Sequence, residues 1–460
     1  MKKKIVLYEL ESECCGCSAC EAVCPQNAIT MNENGEGFLY PVLDAVRCVG
    51  CELCLKVCPL KTAPAGEEAD VRRAGILCLS HKENYGAKIV AWALQSKLQE
   101  LLGEGWQVGL IEYDGQEDRK FLETLTTTMN PVAVVQAADR FLSNRKRTAA
   151  SGATAAKRTP QQREQRTERF RAFDETYLRK WGKAKRTLPF KSIAEQMRVM
   201  VVGSDIVFRP RFAQDYNEVY LLGCLKEKEG SIRRLSYAAA IASDDSRELQ
   251  KLQEKYRDGM RNFDAISVRE RASQRFLQTL TDKPVAYCCD PVLLHSCDEF
   301  AFVPDLGERG YIYMNVLDKT DNAVRYVKRL AEKTGSRVLF FTDSNYLEEP
   351  YAQDVFGDGP LEFIDRIRHA DYVVTNSFHT CVFSILFHKP FAVFVRSDQS
   401  LKIRDLLDTF GLRDRMVAKG KAHFDMNRPI DWEAVDSKLA AFREESEAFL
   451  KNALFNENNK

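Results

Sequence analysis

The chain has 460 residues, of which 45% are hydrophobic and 29% charged, a composition typical of a soluble globular protein of about three domains. Its formal net charge of +1 provides no global field that would attract nucleic acid or an anionic membrane. The basic start MKKK precedes too few apolar residues for a signal peptide, and polar residues interrupt the apolar stretch 372–395. We therefore expect a cytoplasmic protein without a transmembrane segment.

Nine of the fifteen cysteines lie between Cys14 and Cys58, and eight of these repeat the spacing C-x2-C-x2-C-x3-C-P. The two runs are Cys14, Cys17, Cys20 and Cys24, and then Cys48, Cys51, Cys54 and Cys58. This is the spacing of bacterial two-cluster ferredoxins, in which the fourth cysteine of each run ligates the other cluster. A zinc module is the less favoured alternative, because a zinc site needs only four ligands.

The spacing therefore predicts a small α+β ferredoxin-like domain over residues 1–62 with two [4Fe–4S] clusters. Short strands are expected around AITM and GFLYPV, between the two runs. Cys15 fits neither run and is interpreted as a spare thiol. By the ferredoxin rule, the two ligand groups are Cys14, Cys17, Cys20 and Cys58, and Cys48, Cys51, Cys54 and Cys24.

Buried strands alternate with helices after a polar linker at 63–73, which predicts an α/β protein with two Rossmann-like lobes. The first lobe is assigned to 74–284, the second to 285–420 and a helical tail to 421–460. Within the first lobe, a basic stretch from Arg140 to Arg171 is interpreted as a loop followed by a helix that ends near Trp181.

The stretch 372–395 reads as a strand, a polar turn, a helix and a second strand. Asn376 and Ser377 supply turn and N-cap residues after the strand, and the helix begins at Phe378. His379 is thus predicted in the first helical turn, where open α/β sheets bind ligands. On position alone, a structural histidine with a hydrogen-bonded ring is an equal alternative.

Two other positions have the character of ligand sites. Asn84 and Gly86 open a helix after the first predicted strand, where backbone N–H groups could cradle an anion. Arg269 ends another predicted strand, where its guanidinium fork could bind phosphate or carboxylate. An ordinary salt bridge with Glu270 or another neighbour is the alternative for this arginine.

Seven short fragments follow one another along the chain: NYGA at 84–87, VVGSD at 201–205, SYAA at 236–239, ISVRE at 266–270, DPVLL at 290–294, TNSFH at 375–379 and KPF at 389–391. With these fragments in this order, residues from about 75 to 415 resemble the polysaccharide pyruvyl transferase family. The resemblance implies a two-lobed GT-B-like fold with the active site in the cleft. It also implies transfer of a pyruvyl unit from phosphoenolpyruvate to two hydroxyls of a sugar as a cyclic ketal, a reaction of exopolysaccharide biosynthesis.

The same resemblance assigns roles to individual residues. His379 would be the acid–base residue, Arg269 would bind the phosphoenolpyruvate anion, and Lys402, with Arg404 as fallback, would be a further basic residue. The residues expected to contact substrate are Asn84, Gly86, Ser204, Asp205, Asn376 and Ser377. The chain departs from the family pattern at Ile206, Phe208, Ala240 and Thr380, which leaves the acceptor open.

Ketal formation is redox-neutral and does not need iron–sulfur clusters, so three hypotheses compete. The clusters could form a structural or sensing module on a working transferase, which we favour because Arg269, His379 and Lys402 are all present. Alternatively, the chain is an electron-transfer component of a reductive reaction, or a scaffold that passes electrons to a partner. The sequence lacks a G-x-G-x-x-G nicotinamide fingerprint. Expected partners are phosphoenolpyruvate, a sugar acceptor that could be a membrane-associated glycolipid, and a redox protein, but not nucleic acid.

Overall fold

In the computed structural model the chain forms two compact units, Met1–Val71 and Arg72–Lys460. The structure describes residues 5, 7–8, 14, 16–35, 37–51, 53–58, 71–80, 83–113, 158–184, 187–210, 217–228, 230–243, 246–317, 320–342, 346–394, 400–417 and 423–455. Cys15, the linker residues 63–70 and most of the basic stretch 140–171 lie outside these ranges. No helix in the described ranges is both long enough and apolar enough to cross a bilayer.

The described residues of the N-terminal unit form a β-hairpin and two short helices. In chain order these are α1 (Ala19–Ala22), β1 (Ile29–Glu33), β2 (Leu39–Leu43) and α2 (Leu53–Val57). The two strands pair antiparallel and match the hairpin expected between the cysteine runs. A small apolar core of Ile5, Ile29 and Cys54 lies between these elements.

The first lobe is built on a parallel sheet of seven strands among the described residues. The strands are β3 (Arg72–Leu77), β4 (Trp106–Tyr113), β5 (Lys180–Ala184), β6 (Val199–Asp205), β7 (Arg233–Ala239), β8 (Ala265–Val268) and β9 (Val285–Tyr287). The helices are α3 (Tyr85–Leu102), α4 (Pro160–Tyr177), α5 (Thr187–Ala194), α6 (Asn217–Tyr220), α7 (Ser246–Lys251), α8 (Gln253–Arg261) and α9 (Arg271–Gln278). The strand order is β5-β4-β3-β6-β7-β8-β9.

The second lobe carries a parallel sheet of six strands in the part of the chain that the structure describes. The strands are β10 (Tyr311–Val316), β11 (Arg337–Thr342), β12 (Ala352–Asp354), β13 (Tyr372–Thr375), β14 (Phe391–Phe394) and β15 (Met416–Val417). The helices are α10 (Asp321–Thr334), α11 (Pro360–His369), α12 (Phe378–Leu386), α13 (Ser400–Phe410) and α14 (Trp432–Phe455). The strand order is β12-β11-β10-β13-β14-β15. These two sheets confirm the expected α/β class.

Three sequence-based boundaries need correction. Strand β3 begins at Arg72, inside the expected linker, because Arg72 pairs with Trp106 of β4 and its guanidinium lies over the Trp106 ring. Strand β9 is the edge of the first sheet, so that lobe extends beyond residue 284. Trp181 lies in β5 and not at a helix end, and its indole N–H donates to the Ala74 carbonyl at 2.9 Å.

The two lobes share a packed interface centred on the first residue of α3. The Tyr85 ring stacks on Phe363 of α11 at 4.7 Å between centroids. Its hydroxyl donates to the Asp358 carbonyl at 3.0 Å and accepts from Arg166 of α4. The tail helix α14 returns to the first lobe, where the Ala453 carbonyl accepts from Arg233 at 2.7 Å. These contacts fix the carboxyl ends of the two sheets relative to each other.

In both parallel sheets, successive strands are first added on one side of the lobe's first strand and then on its other side. This switch point lies between β3 and β6 in the first lobe and between β10 and β13 in the second. Ligands of open α/β sheets bind in the crevice outside the strands' carboxyl ends at such a point. Helix α3 starts after β3, and α12 starts after β13. The first turns of α3 and α12 are therefore the expected position of a ligand site.

Candidate functional site

His379 lies in the first turn of α12, directly beyond the carboxyl end of β13, as the sequence predicted. The N-cap position is Ser377, but its side chain makes no capping hydrogen bond. Asn376 instead joins the two strands of the switch point, because its Oδ1 accepts from the Leu317 N–H at 2.8 Å and its Nδ2 donates to Thr320. Ser377 thus occupies the expected N-cap position without a side-chain capping hydrogen bond, and Asn376, which is buried, holds the loop that follows β10.

Gly86 is in direct contact with His379. A Cβ atom at Gly86 would lie 1.9 Å from the imidazole Nδ1, so only glycine leaves room for the ring. The neighbouring Asn84 caps α3, since its side chain accepts from the Ala87 N–H at 3.1 Å. These two residues were expected to cradle an anion. In the structure, the Asn84 oxygen accepts the capping hydrogen bond from Ala87, and the His379 imidazole covers Gly86. Both residues therefore make other contacts than the expected ones.

A buried carboxylate, Asp290, lies next to His379. Its Oδ2 is 3.7 Å from the His379 Nε2 and accepts from the Arg269 Nη1 at 2.6 Å. Its Oδ1 accepts from the Val292 N–H at 3.1 Å, and its side chain is fully buried. Burial raises the pKa of Asp290, but His379, Arg269 and the Val292 N–H together outweigh this effect and hold the pKa at about 2. Asp290 is therefore ionised at neutral pH.

Arg269 follows β8 and is only 3% exposed. Its Nη1 pairs with Asp290, and its Nη2 pairs with the Asp205 Oδ1 at 3.2 Å. The Nε has no hydrogen bond to any residue that the structure describes. The salt-bridge alternative thus applies, although the partners are two other carboxylates and not Glu270, which accepts from Ser273 and the Ala242 N–H. Arg269 neutralises the carboxylates of Asp290 and Asp205, and its two Nη atoms are engaged with them rather than open to a phosphate group.

Ser204 and Asp205 lie at the carboxyl end of β6 and support this arginine. Ser204 is fully buried, accepts from the Arg269 Nη1 at 3.4 Å and donates to Asp290 at 3.5 Å. Asp205 adopts a φ of 104°, an unusual conformation for a residue with a side chain, and its Oδ1 also accepts from the Ile206 N–H. Strained backbone of this kind is most common at functional sites.

The ring of Phe378 lies close to both cationic residues of the site, Arg269 and Lys402. The Arg269 guanidinium lies 4.7 Å from the ring centroid, and the Lys402 Nζ lies 5.6 Å from it. Lys402 is half-buried on α13, whereas the fallback residue Arg404 is exposed. The structure thus brings Lys402 to the same place as Arg269 and His379.

Sequence reasoning did not select Asp290 or Phe378 as site residues. Both lie inside fragments that carried the resemblance, DPVLL and TNSFH, and Asp290 follows strand β9. An acidic residue after the carboxyl end of a strand is a signal for a ligand site, but the three-residue β9 was not predicted from the sequence. No sequence signal marked Phe378, since an aromatic residue at a helix start is most often part of the core.

Three of the departures from the family pattern lie in the packed interior. Phe208 and Ala240 are buried, and the Phe208 N–H donates to the Ala240 carbonyl at 3.1 Å. Thr380 is fully buried and its hydroxyl accepts from Asn315 at 3.0 Å. These residues therefore change the packing behind the site and do not line its surface.

The N-terminal unit brings the cysteines together in two cavities. The expected ligand groups separate as the ferredoxin spacing predicts, although Cys54 borders both cavities. One cavity is lined by Cys14, Cys17, Cys20 and Cys58, and the other by Cys24, Cys48, Cys51 and Cys54. Apolar residues such as Leu7, Ile29 and Leu43 complete the walls. Four thiols in a largely apolar cavity fit the donor requirement of a [4Fe–4S] cluster.

Comparison with known families decides the identity of the chain. The model of the family described as polysaccharide pyruvyl transferase matches residues 142–398, which is more than half of the sequence. The chain belongs to the polysaccharide pyruvyl transferase family. A 4Fe-4S dicluster domain model matches residues 13–62, in agreement with the expected iron–sulfur domain. No curated protein matches the chain significantly.

Solved structures similar to this family member include sugar-nucleotide enzymes. UDP-GlcNAc 2-epimerase from Neisseria meningitidis bound to UDP-GlcNAc is 10% identical, with 84% of this chain and 95% of that chain covered and a TM-score of 0.43. S. aureus MnaA in a co-structure with UDP is 9% identical, with 83% and 91% covered and a TM-score of 0.44. An alpha-glucosyltransferase in complex with UDP is 10% identical, with 84% and 95% covered and a TM-score of 0.40. At TM-scores below 0.5, these likenesses support no conclusion about this chain.

The buried Asp290 predicts a specific dependence of stability on pH. Because its pKa of about 2 lies below the ordinary value of ~3.9, its ionised form stabilises the fold fully above pH ~4, and this contribution of ~2 kcal/mol disappears as the pH falls from 4 to 2. We expect Asp290→Asn to lower the free energy of unfolding at pH 7 by at least that amount, with a difference from wild type that shrinks over this pH range.

Tryptophan fluorescence during urea unfolding measures this effect, because all four tryptophans lie after residue 72. Asp258→Asn is the control, since Asp258 is 58% exposed and its pair with Arg261 should contribute less than ~1 kcal/mol. A pH-independent difference between wild type and Asp290→Asn would contradict the assignment.

Proposed function

We propose that this protein transfers a pyruvyl group from phosphoenolpyruvate to two hydroxyls of a sugar in a polysaccharide or glycoconjugate and forms a cyclic ketal. The observation that carries the proposal is the convergence of His379, the ionised Asp290, Arg269 and Lys402 at the carboxyl ends of both sheets in a member of this family. An acid, a group that orients it and fixed cations are what this reaction requires.

In the proposed reaction His379 protonates C3 of phosphoenolpyruvate, which becomes a methyl group while C2 gains positive character. One sugar hydroxyl adds to C2 and returns its proton to His379. The second hydroxyl then attacks C2 as the C2–O bond to phosphate breaks, and its proton leaves with the phosphate. No electrons are gained or lost, and the products are the ketal and inorganic phosphate. In this proposal Asp290, whose Oδ2 lies 3.7 Å from the imidazole Nε2, orients the ring.

The charges around His379 suit an anionic donor. Arg269 compensates the negative charges of Asp290 and Asp205, which would otherwise repel the phosphate and carboxylate groups of phosphoenolpyruvate. Lys402, whose Nζ lies 5.6 Å from the Phe378 ring centroid, and the amino terminus of α12 supply positive potential near the imidazole. In this proposal Lys402 contacts the donor, whereas Arg269 acts mainly by neutralising the buried carboxylates.

A second candidate function follows from the N-terminal unit. The two cavities lined by the eight cysteines of the repeated spacing have no role in a redox-neutral transfer. They favour an iron–sulfur electron-transfer protein or reductase component, in which the transferase-like domain binds a substrate or a redox partner. The eight thiolates would hold the two clusters, which would supply one-electron chemistry when bound. Dependence of phosphoenolpyruvate consumption on cluster reduction would favour this alternative over a structural or sensing role.

Substitutions that affect His379 test the acid role. We expect His379→Ala to lower phosphate release from phosphoenolpyruvate about 10²–10⁴-fold, the usual contribution of a general acid–base residue. Gly86→Ala should lower it similarly without removing any polar group, because the new Cβ would displace the imidazole. Gly35→Ala is the control, since a Cβ at that position meets no atom within 4 Å. Turnover by folded His379→Ala at the wild-type rate would exclude the proposed acid.

Donor binding can be measured separately from chemistry. We expect calorimetry on anaerobically purified protein to show phosphoenolpyruvate binding that is weakened at least tenfold by Lys402→Ala and lost in Arg269→Ala, where two carboxylates remain unneutralised. Arg404→Ala, an exposed arginine on the same helix, is the matched control and should bind like wild type. Equal affinities in the Lys402 and Arg404 variants would remove Lys402 from the donor site.

Metal content tests the cluster assignment. We expect about eight iron and eight sulfide per chain, as two [4Fe–4S] clusters require. Cys58→Ala should lose about half of the iron, because it removes one ligand from one group only. The exposed Cys297, which lies in the other unit, is the control, and Cys297→Ala should keep the full content. Stoichiometric zinc in place of iron would overturn the redox hypothesis.

A further inference from the structure

A second group of potential ligands lies at the carboxyl end of α11, far along the chain from the catalytic residues. Asp365 and His369 are one helical turn apart on this helix, and Asp305 comes from the connection that leads into β10. One ligand atom from each residue lies within 4.8 Å of the others. Asp365 is fully buried, His369 is 17% exposed and Asp305 is 57% exposed.

The two buried atoms of this group have no hydrogen bonds. Asp365 Oδ1 and His369 Nδ1 lie only 2.8 Å apart, yet neither atom forms a hydrogen bond with any residue that the structure describes. Buried polar atoms rarely lack a partner, and the binding of an ion is one of the usual reasons for such an arrangement. A carboxylate oxygen and an imidazole nitrogen that converge without bonding to each other are arranged as two ligands of one cation.

The distances suit a small transition-metal ion. Tetrahedral zinc with ligands at 2.0–2.2 Å places neighbouring ligand atoms about 3.3 Å apart. The His369 Nδ1 is 2.8 Å from Asp365 and 3.9 Å from Asp305, so both distances lie within about 0.6 Å of that spacing. An imidazole ligand favours zinc over magnesium or calcium, which prefer oxygen ligands only.

Backbone N–H groups hold both carboxylates in place. The other oxygen of Asp365 accepts from the Leu306 N–H at 3.4 Å, and the Asp305 Oδ1 accepts from the Gly307 N–H at 2.7 Å. Such outer contacts are typical of metal sites, where they orient the ligands. Arg309 is the competing group, because it forms two hydrogen bonds with Asp305. Two carboxylates and a neutral imidazole would balance the charge of a divalent ion only when this arginine moves aside.

We propose that Asp305, Asp365 and His369 bind a divalent zinc ion through Oδ1, Oδ1 and Nδ1, with water in the fourth position. The site lies near the amino ends of β10 and β13, since Asp371 after α11 bonds to Tyr311, whereas the catalytic residues lie at the carboxyl ends. Its task is structural. The ion would fasten the connection between the lobes to α11, next to the contacts that Arg368 makes with the Phe300 and Val303 carbonyls.

The test compares zinc content in full-length, cluster-loaded chains. After incubation with zinc sulfate and gel filtration, we expect wild type to carry about one more zinc per chain than Asp305→Asn or His369→Gln. Zinc held by cysteines cancels in this difference, because all three chains contain the same cysteines. Asp305 is largely exposed, so Asp305→Asn should fold even if changes at the buried Asp365 do not.

Arg309→Gln provides the matched control. It removes the group that competes for Asp305, so we expect zinc to bind at least as tightly as in wild type, and severalfold more tightly in a chelator competition. Zinc should also raise the thermal midpoint reported by tryptophan fluorescence in wild type and Arg309→Gln but not in the two ligand variants. Equal zinc content and equal midpoints in wild type and ligand variants would overturn the proposal and leave His369 and Asp365 as a simple ion pair.

Discussion

The geometry of the candidate active site depends on one buried carboxylate, Asp290. An ionised carboxylate without solvent is tolerated only when charges and hydrogen bonds compensate its lost hydration. Its partners come from both lobes: Arg269 and Ser204 from the first sheet, and His379 from the second. The carboxylate accepts its hydrogen bonds from Arg269, Ser204 and the Val292 N–H, and the docking of the second lobe adds His379 at 3.7 Å.

A close approach of backbone to side chain makes this assembly possible. The two switch points place the first turns of α3 and α12 against each other, and the absent side chain at Gly86 is the space that the imidazole of His379 fills. The interface beside it is held by Tyr85, whose ring and hydroxyl both contact the second lobe or its partner arginine. Adjacent residues of α3 thus have separate roles: Tyr85 contacts the second lobe, and Gly86 leaves the space that the His379 ring occupies.

The sequence was sufficient for features that depend on local pattern. Strand β13, the helix that carries His379 and the pairing of the cysteine runs all follow from spacing within a few tens of residues. The sequence was insufficient for contacts between residues that are far apart in the chain. Arg269 could be seen at the end of a strand, but its carboxylate partners lie 64 and 21 residues away in the chain. The same limit explains why the residues of β9, a three-residue edge strand, were assigned to the wrong lobe: the strand's only distinguishing feature is the neighbour with which it pairs.

The two units of the chain obtain their stability from different sources. The large unit has extended apolar cores, whereas the apolar core described in the N-terminal unit consists of Ile5, Ile29 and one of the cysteines. A core this small contributes little net stability. We therefore expect the eight cysteines of the repeated spacing to stabilise this unit through the clusters that they would bind, so that its stability would be linked to cluster binding. The candidate site around Asp290 differs, because its stability depends on buried charges and therefore on pH.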